Sequence, residues 1–246
     1  MTKYYTNKIN ILNIYKKPSK KSEIVSQMIF GDSFSIIRKF GQWIKIKIKE
    51  DNYIGYIKNK NYLNFVKPTH KISVLKAKVF NSPKNLKSIN EFSFNSKIKV
   101  TGKRFNFLQF PGGWIKKNQV KSIDYSEKNL FKKISIFKNI KYKWGGKSYK
   151  GIDCSALIQI CLNFNNRFCP RDTKDQIRYF KKNINLSKLR KNDIIYWKGH
   201  VALVISNKNL IHAYGPMKKT VIMNIKKTVK LIKKTANLNV LKIKRL

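Results

Sequence analysis

The chain has 246 residues, with 55 Lys+Arg against 11 Asp+Glu and a formal net charge of +44. At 42% hydrophobic and 13% aromatic residues it can build packed cores, which excludes a mostly disordered chain. Its longest apolar runs, such as Val201–Ile205, fall far short of the roughly 20 residues that span a bilayer, so no transmembrane helix is expected.

The first half reads as β structure. Glu23–Gln27, Ser33–Arg38, Trp43–Ile48 and Tyr53–Ile57 are short runs rich in β-branched and aromatic residues, with Gly31-Asp32, Phe40-Gly41 and Asp51-Asn52 as turns. Strands at such spacing predict a small barrel. A fainter set follows at Val79-Phe80, Lys97–Thr101, Phe107–Phe110 and Trp114-Ile115, with Pro111-Gly112-Gly113 as a turn. Lys67–His70 reads as a linker, and the paired Trp43-Ile44 and Trp114-Ile115 suggest a tandem repeat of two barrels. After Asp124 the pattern changes. Apolar residues at Leu130, Phe131, Ile134 and Phe137 predict a helix over Ser126–Ile140, capped by Ser126. Tyr142–Tyr149 is a Gly- and Tyr-rich loop, and Ser155–Phe164 and Thr173–Asn183 are further helices. Asp193–Trp197, His200–Ser206, Asn209–Ala213 and Val221–Ile225 then read as consecutive antiparallel strands, followed by a basic helix at Lys226–Lys234 and a last strand at Val240–Ile243. Helices followed by a meander give the α+β class. The expected units are 1–66, 67–123 and 124–246.

Met1–Ile11 carries Lys3 and Lys8 but no apolar run of the secretory type, so a cytoplasmic address is expected. The positive charge is mostly Lys, is spread along the whole chain, and is accompanied by abundant Asn and Ile. Drift toward an A+T-rich genome accounts for all three residue types, whereas nucleic-acid binding accounts for Lys alone. A nucleic-acid partner is therefore not the first expectation, although such charge attracts polyanions weakly and in a salt-sensitive way.

Cys154, Cys161 and Cys169 are odd in number and close in sequence, which favours reduced thiols over a disulfide framework. Cys154 stands where a loop, Gly151-Ile152-Asp153, meets an apolar helix. There the helix dipole favours the thiolate and lowers its pKa. His200 and His212 lie at the boundaries of adjacent predicted strands, which can bring them side by side. A thiolate, a His that takes and returns a proton, and a second polar group that orients it make a minimal acyl-transfer device. Taken singly, each of these residues is as readily a core residue. Zinc ligation by Cys154, His200 and His212 is the alternative, but the spacing matches no closed zinc motif and no metal or cofactor is expected.

Six blocks occur in order. They are Tyr142-Lys143-Trp144-Gly145-Gly146, Gly151-Ile152-Asp153-Cys154-Ser155, Pro170-Arg171-Asp172-Thr173 with Gln176, Leu189-Arg190-Lys191-Asn192-Asp193, Gly199-His200-Val201-Ala202 and Ile211-His212-Ala213. Together they resemble the NlpC-type papain-like cysteine peptidases, over residues 124–246. The region upstream resembles bacterial SH3-like domains, twice, more clearly in 7–66 than in 67–123. That layout is similar to the dipeptidyl-peptidase branch of the family.

The resemblance implies a papain-like catalytic domain behind two SH3-like barrels, and hydrolysis of the γ-D-glutamyl–diamino acid bond of peptidoglycan stem peptides. It implies Cys154 as nucleophile, His200 as base and His212 as the residue that orients it, with Tyr142 facing the substrate. Asp153 and Ser155, helped by Thr173, would hold the substrate's free α-amine, and Asp32 and Tyr53 of the first barrel would close that pocket. A carboxylate beside an ammonium makes a charge-assisted hydrogen bond. Such a pocket implies free peptides over sugar-linked stems, the lack of a secretory run favours murein recycling, and the diamino acid is meso-diaminopimelate, the first expectation, or L-lysine. Ala156 and Ala202 replace the family's usual glycines without removing a reacting group. Arg171 and Asp172 read as a local, loop-fixing ion pair. Two other readings stand beside this one. One is a basic SH3-like protein that binds peptidoglycan or nucleic acid, with a secondary Cys domain. The other is a related papain-like acyltransferase or amidase.

Overall fold

The structure is a computed structural model that describes residues 2–246; Met1 lies outside the described residues. The first β unit is one antiparallel seven-stranded sheet. Its order is Ile24–Ile29, Ile11–Tyr15, Ile54–Lys58, Trp43–Ile48, Ser33–Phe40, Tyr4–Thr6, Leu63–Asn64. Ile14, Met28, Phe34, Ile44, Ile46, Ile48 and Ile57 form its core. Alternation along Trp43–Ile48 decides which of those side chains point inward. The second unit pairs a five-stranded sheet with a three-stranded one over the core of Ile72, Val79, Phe92, Leu108 and Ile115. Both strand orders are open, so the closed barrels expected from the sequence are not among the strand pairings. Strands Tyr4–Thr6, Ile11–Tyr15 and Ser88–Ser93 add to the expected set, and His70 begins a strand instead of ending a linker.

In the last unit, the six-stranded antiparallel sheet runs Lys182–Asn183, Lys242–Arg245, Ile194–Trp197, His200–Val204, Asn209–Tyr214, Lys219–Asn224. Period-two alternation sorts its side chains between two cores. Ile194, Tyr196, Val201, Leu203, Ile211 and Ala213 pack with helix α1, Cys154–Phe164. Ile195, Trp197, Ala202, Val204 and Leu210 pack with Ile225 and Ile232 of helix α3, Ile225–Ala236. Helix α2 is shorter than expected, Thr173–Tyr179, because Phe180 turns extended and Lys182–Asn183 joins the sheet edge. None of the helices is long and apolar enough to cross a membrane among the described residues.

The helix expected over Ser126–Ile140 is absent; turns and one 3-10 turn, Ile134–Phe137, replace it. Phe131, Ile134 and Phe137 still bury. The backbone is drawn off by side chains: the Glu127 N–H bonds Asn165 Oδ1 at 2.6 Å, and the Phe131 N–H bonds Asn129 Oδ1 at 3.1 Å. Such local partners compete with helix ladders.

A buried ion cluster joins the three units. Asp32, 1% exposed, accepts from Lys97 Nζ of the second unit at 2.8 Å and from Lys147 Nζ of the third at 3.4 Å. Lys97 also meets Glu50 at 2.8 Å, and Asp32 Oδ2 takes the Ile29 N–H at 3.0 Å. Burial works against charge here, but Lys147 and Lys97 hold the Asp32 carboxyl below its ordinary value. Glu50, partly buried, accepts Lys97 and the Ser33 N–H, yet burial pushes it up. Gly31 touches the same seam: a Cβ there would lie 2.1 Å from the Lys97 carbonyl oxygen, and its φ of +84° suits glycine. This corrects the expectation that Asp32 closes a substrate pocket, since its oxygens are occupied by lysines away from the cleft.

Asp32→Ala leaves two buried ammonium groups short of their shared partner and should destabilise the protein by about 3–5 kcal/mol, read from urea denaturation midpoints. A loss below about 1 kcal/mol would show that the cluster does not hold the units together.

Candidate active site

A cleft of about 520 Å³ opens between the first and last units. Asp153, Cys154 and Ser155 line it from the start of α1, and Arg171, Asp172, Thr173 and Lys174 from the start of α2. Lys16, Glu23, Val25, Tyr53 and Ile54 of the first unit form the opposite wall with Trp144. Glu23 fastens that wall: its carboxylate takes the Trp144 Nε1–H at 2.8 Å and Lys16 Nζ at 3.1 Å, which together hold it below the usual carboxylate range. Behind Trp144, a Cβ on Gly145 would come 2.5 Å from the Ile24 carbonyl oxygen, so the loop lies directly on the first unit.

Asp153 starts α1. Its extended backbone makes it the N-cap, and Oδ1 accepts the Ala156 N–H at 2.9 Å. Both oxygens are also held by the fork of Arg171, Nη1 to Oδ1 at 3.0 Å and Nη2 to Oδ2 at 2.5 Å. Oδ2 takes the Gly145 N–H at 2.9 Å as well. Arg171 is 2% exposed and further donates to Ser155 Oγ at 2.8 Å and Ser26 Oγ at 3.1 Å. Burial alone would lower its pKa, but Asp153 holds it above the usual range. The Asp153 and Ser155 side chains, both on the cleft, are thus engaged by Arg171, a contact that the expected amine pocket did not include. It corrects the reading of Arg171 as a local partner of Asp172. The spacing of Arg171 and Asp153 in sequence gave no sign of this pairing.

Asp172 is the carboxylate left over. It stands at the N-cap of α2 without a capping bond, half-buried on the cleft, and no hydrogen bond reaches its side chain among the described residues. Burial raises its pKa, with Arg171 opposing. Tyr53 lies close by, its phenol raised by burial and by Asp172. Thr173 lines the cleft one residue on. Tyr142 is half-buried near Cys154, and burial raises its phenol too. Its ring sits against Gly215, and it does not line the main cleft.

Cys154 is 5% exposed. Its helix packs on the strand His200–Val204, and the backbone N–H groups of Val201 and Ser155 face the sulfur. Burial nevertheless pushes the thiol up to about 12, and the negative charge of Asp153 adds to it. Burial first, and then the Asp153 carboxylate at the positive end of α1, thus outweigh the lowering expected from the helix dipole. His200 Nε2 lies 2.8 Å from His212 Nδ1, and His212 is fully buried. Burial pulls His200 down to about 4; burial, with His200 beside it, pulls His212 down to about 3. At neutral pH the set is a thiol and two neutral imidazoles. The structure thus brings Tyr53, Asp153, Cys154, Ser155 and Thr173 to one cleft, pairs His200, next to the lining Gly199, with His212, and leaves Asp32 outside. No three His, Cys, Asp or Glu side chains cluster to hold a metal ion among the described residues.

Comparison with known proteins agrees with this layout. The family model described as the NlpC/P60 family matches residues 139–236, and that of the bacterial dipeptidyl-peptidase SH3 domain matches residues 14–61. The chain is 36% identical over 72 residues to dipeptidyl-peptidase 6 of Lysinibacillus sphaericus, covering 29% of this chain and only 27% of that protein. It is 22% identical over 231 residues to the gamma-D-glutamyl-L-lysine dipeptidyl-peptidase of Bacillus subtilis strain 168, covering 84% of this chain and 77% of the relative. A crystal structure of an NlpC/P60 family protein from Bacillus cereus superposes with a TM-score of 0.81 at 18% identity over 99% of both chains, a likeness of fold.

Arg171→Met should cost about 3–5 kcal/mol in urea denaturation by stranding the Asp153 charge, and Arg171→Lys should recover only part of it, since an ammonium cannot fork. The two histidines set an acid limit. Their folded pKa values lie below the unfolded value near 6.5, so the unfolded chain takes up protons first. Their contribution is full above about pH 6.5 and is lost as pH falls toward 4 and 3. Urea midpoints should drop over that window, and His212→Asn should flatten the fall by up to about 1.4 kcal/mol per pH unit.

Proposed function

Since the chain carries an NlpC/P60 domain behind a bacterial dipeptidyl-peptidase SH3 domain, we propose that it is a cysteine peptidase that cuts the γ-D-glutamyl–diamino acid bond of free peptidoglycan stem peptides. The observation that carries this reading is Cys154, at the first turn of α1, in a cleft whose far wall is the first unit. In this mechanism His200 takes the thiol proton as sulfur attacks the γ-glutamyl carbonyl. It then protonates the leaving amine and activates water for deacylation. The oxyanion is met by backbone N–H groups at the start of α1. His212 orients His200.

The composite wall also supports a preference for free peptides over sugar-linked stems. We assign the substrate's α-amine to Asp172, with Tyr53 and Thr173 beside it. An ammonium there would supply the partner that the Asp172 carboxylate lacks, whereas an acylated terminus would leave it desolvated and unpaired. The B. subtilis relative carries L-lysine in its name, and the diamino acid here is either L-lysine or meso-diaminopimelate. We also read residues 67–123 as a second, divergent SH3-like domain, from its two sheets over one core.

The purified protein, under reducing conditions, should release L-Ala-D-Glu from free L-Ala-γ-D-Glu-meso-diaminopimelate or its L-lysine counterpart, and Cys154→Ala should abolish release while folding normally. Mass spectrometry decides the matter, and turnover by the Ala variant at the wild-type rate would sink the mechanism. Asp172→Asn should raise KM for the free peptides about 10–100-fold. Equal cleavage of free and N-acetylated peptides by the wild type would remove the amine assignment.

A further inference from the structure

We propose that Met223 is a positioning residue that fixes the ring tautomers of His212 and His200 and so leaves the lone pair on His200 Nδ1. The inference rests on the reading of His200 as the base for Cys154. It starts from one contact: His212 Nε2 lies 3.3 Å from Met223 Sδ. Met223 belongs to the strand Lys219–Asn224, whose Val221 stands opposite His212. Met223 is two residues further along that strand, on the same face of the sheet.

A neutral imidazole has one N–H and one lone pair, while a thioether can only accept. Two proton arrangements are open to the pair. In the first, His212 Nε2–H points at the sulfur, His212 Nδ1 accepts from His200 Nε2–H, and His200 Nδ1 carries a lone pair. In the second, His212 Nδ1–H donates to His200 Nε2, and His212 Nε2 sets a lone pair against the sulfur lone pairs. His212 is 0% exposed, so water cannot relieve that clash or satisfy the nitrogen. The second arrangement also places the remaining proton of His200 on Nδ1, where no proton can then be accepted. Met223 therefore selects the base-competent form. In the reacting step the Cys154 S–H bond breaks and a His200 Nδ1–H bond forms. The new imidazolium keeps its Nε2–H on His212 Nδ1, and His212 gives up no proton.

Three substitutions separate this role from packing. Met223→Leu fills the space but accepts nothing, Met223→Glu accepts, and Met223→Lys donates. The readout is the rate of iodoacetamide alkylation of Cys154 near pH 7, followed by mass spectrometry, with thermal melts confirming that each variant is folded. Leu should slow alkylation about three- to tenfold, Glu should return it to at least the wild-type rate, and Lys should be slower than Leu. In the wild-type protein, nitrogen NMR of labelled histidine should find the His212 proton on Nε2 and the His200 proton on Nε2. A proton on His212 Nδ1, or Leu matching Met while Glu and Lys slow the thiol alike, would overturn the proposal. Alkylation needs no peptide. If the series behaves as expected while no stem peptide is cut, the tautomer assignment stands and the substrate assignment falls.

Discussion

Asp32 is the point at which the molecule is held together. A carboxylate buried among ammonium groups is favourable only if the geometry is good and every partner is present, and here the partners come from two other units, Lys97 and Lys147. The cleft has one wall on the first unit and one on the last, so its shape depends on that docking. Weaker bonds repeat the arrangement around it. Gln27 takes the Lys147 N–H, Asp51 takes Gln159, and Glu91 takes Tyr149, each across a seam. The Arg171 guanidinium does the same beside the nucleophile, joining Asp153 and Ser155 to Ser26 of the first unit.

The few acids explain more of the structure than the many bases. With 11 acids against 55 cations, an acidic side chain is the scarce partner. Glu23, Asp32, Glu50, Asp51, Glu91 and Asp153 are all engaged at seams or at the cleft. Asp172 is on the cleft as well, yet its side chain has no hydrogen bond among the described residues. Most lysines face water, where their charge is screened and constrains little. The net charge therefore says little about function, whereas the position of each carboxylate says a good deal.

The cleft works through desolvation as much as through contact. Burial raises the Cys154 thiol and lowers both imidazoles, which keeps the resting set neutral. Neutral rings make the position of each proton matter, because a neutral imidazole presents a donor on one nitrogen and an acceptor on the other. The sheet thus supplies the chemistry with direction: Met223, His212 and His200 line up in one chain of contacts.

What lay in the sequence was what depends on near neighbours. The continuous apolar runs of Ile194–Trp197 and His200–Val204 fit strands with two buried faces, and the apolar run after Asp153 foretold α1 with Cys154 at its start. The ordered blocks around Cys154, His200 and His212 likewise pointed to one site. The stretch 126–140 misled because its apolar spacing suited a helix while Asn165, distant in the chain, took its backbone N–H. Only the tertiary structure decided the partners of the charges. Arg171 engages Asp153 on the cleft, and two lysines hold Asp32 away from it. Helical and strand periodicity act over a few residues and are written locally, whereas ion pairing and burial depend on groups that only folding brings together.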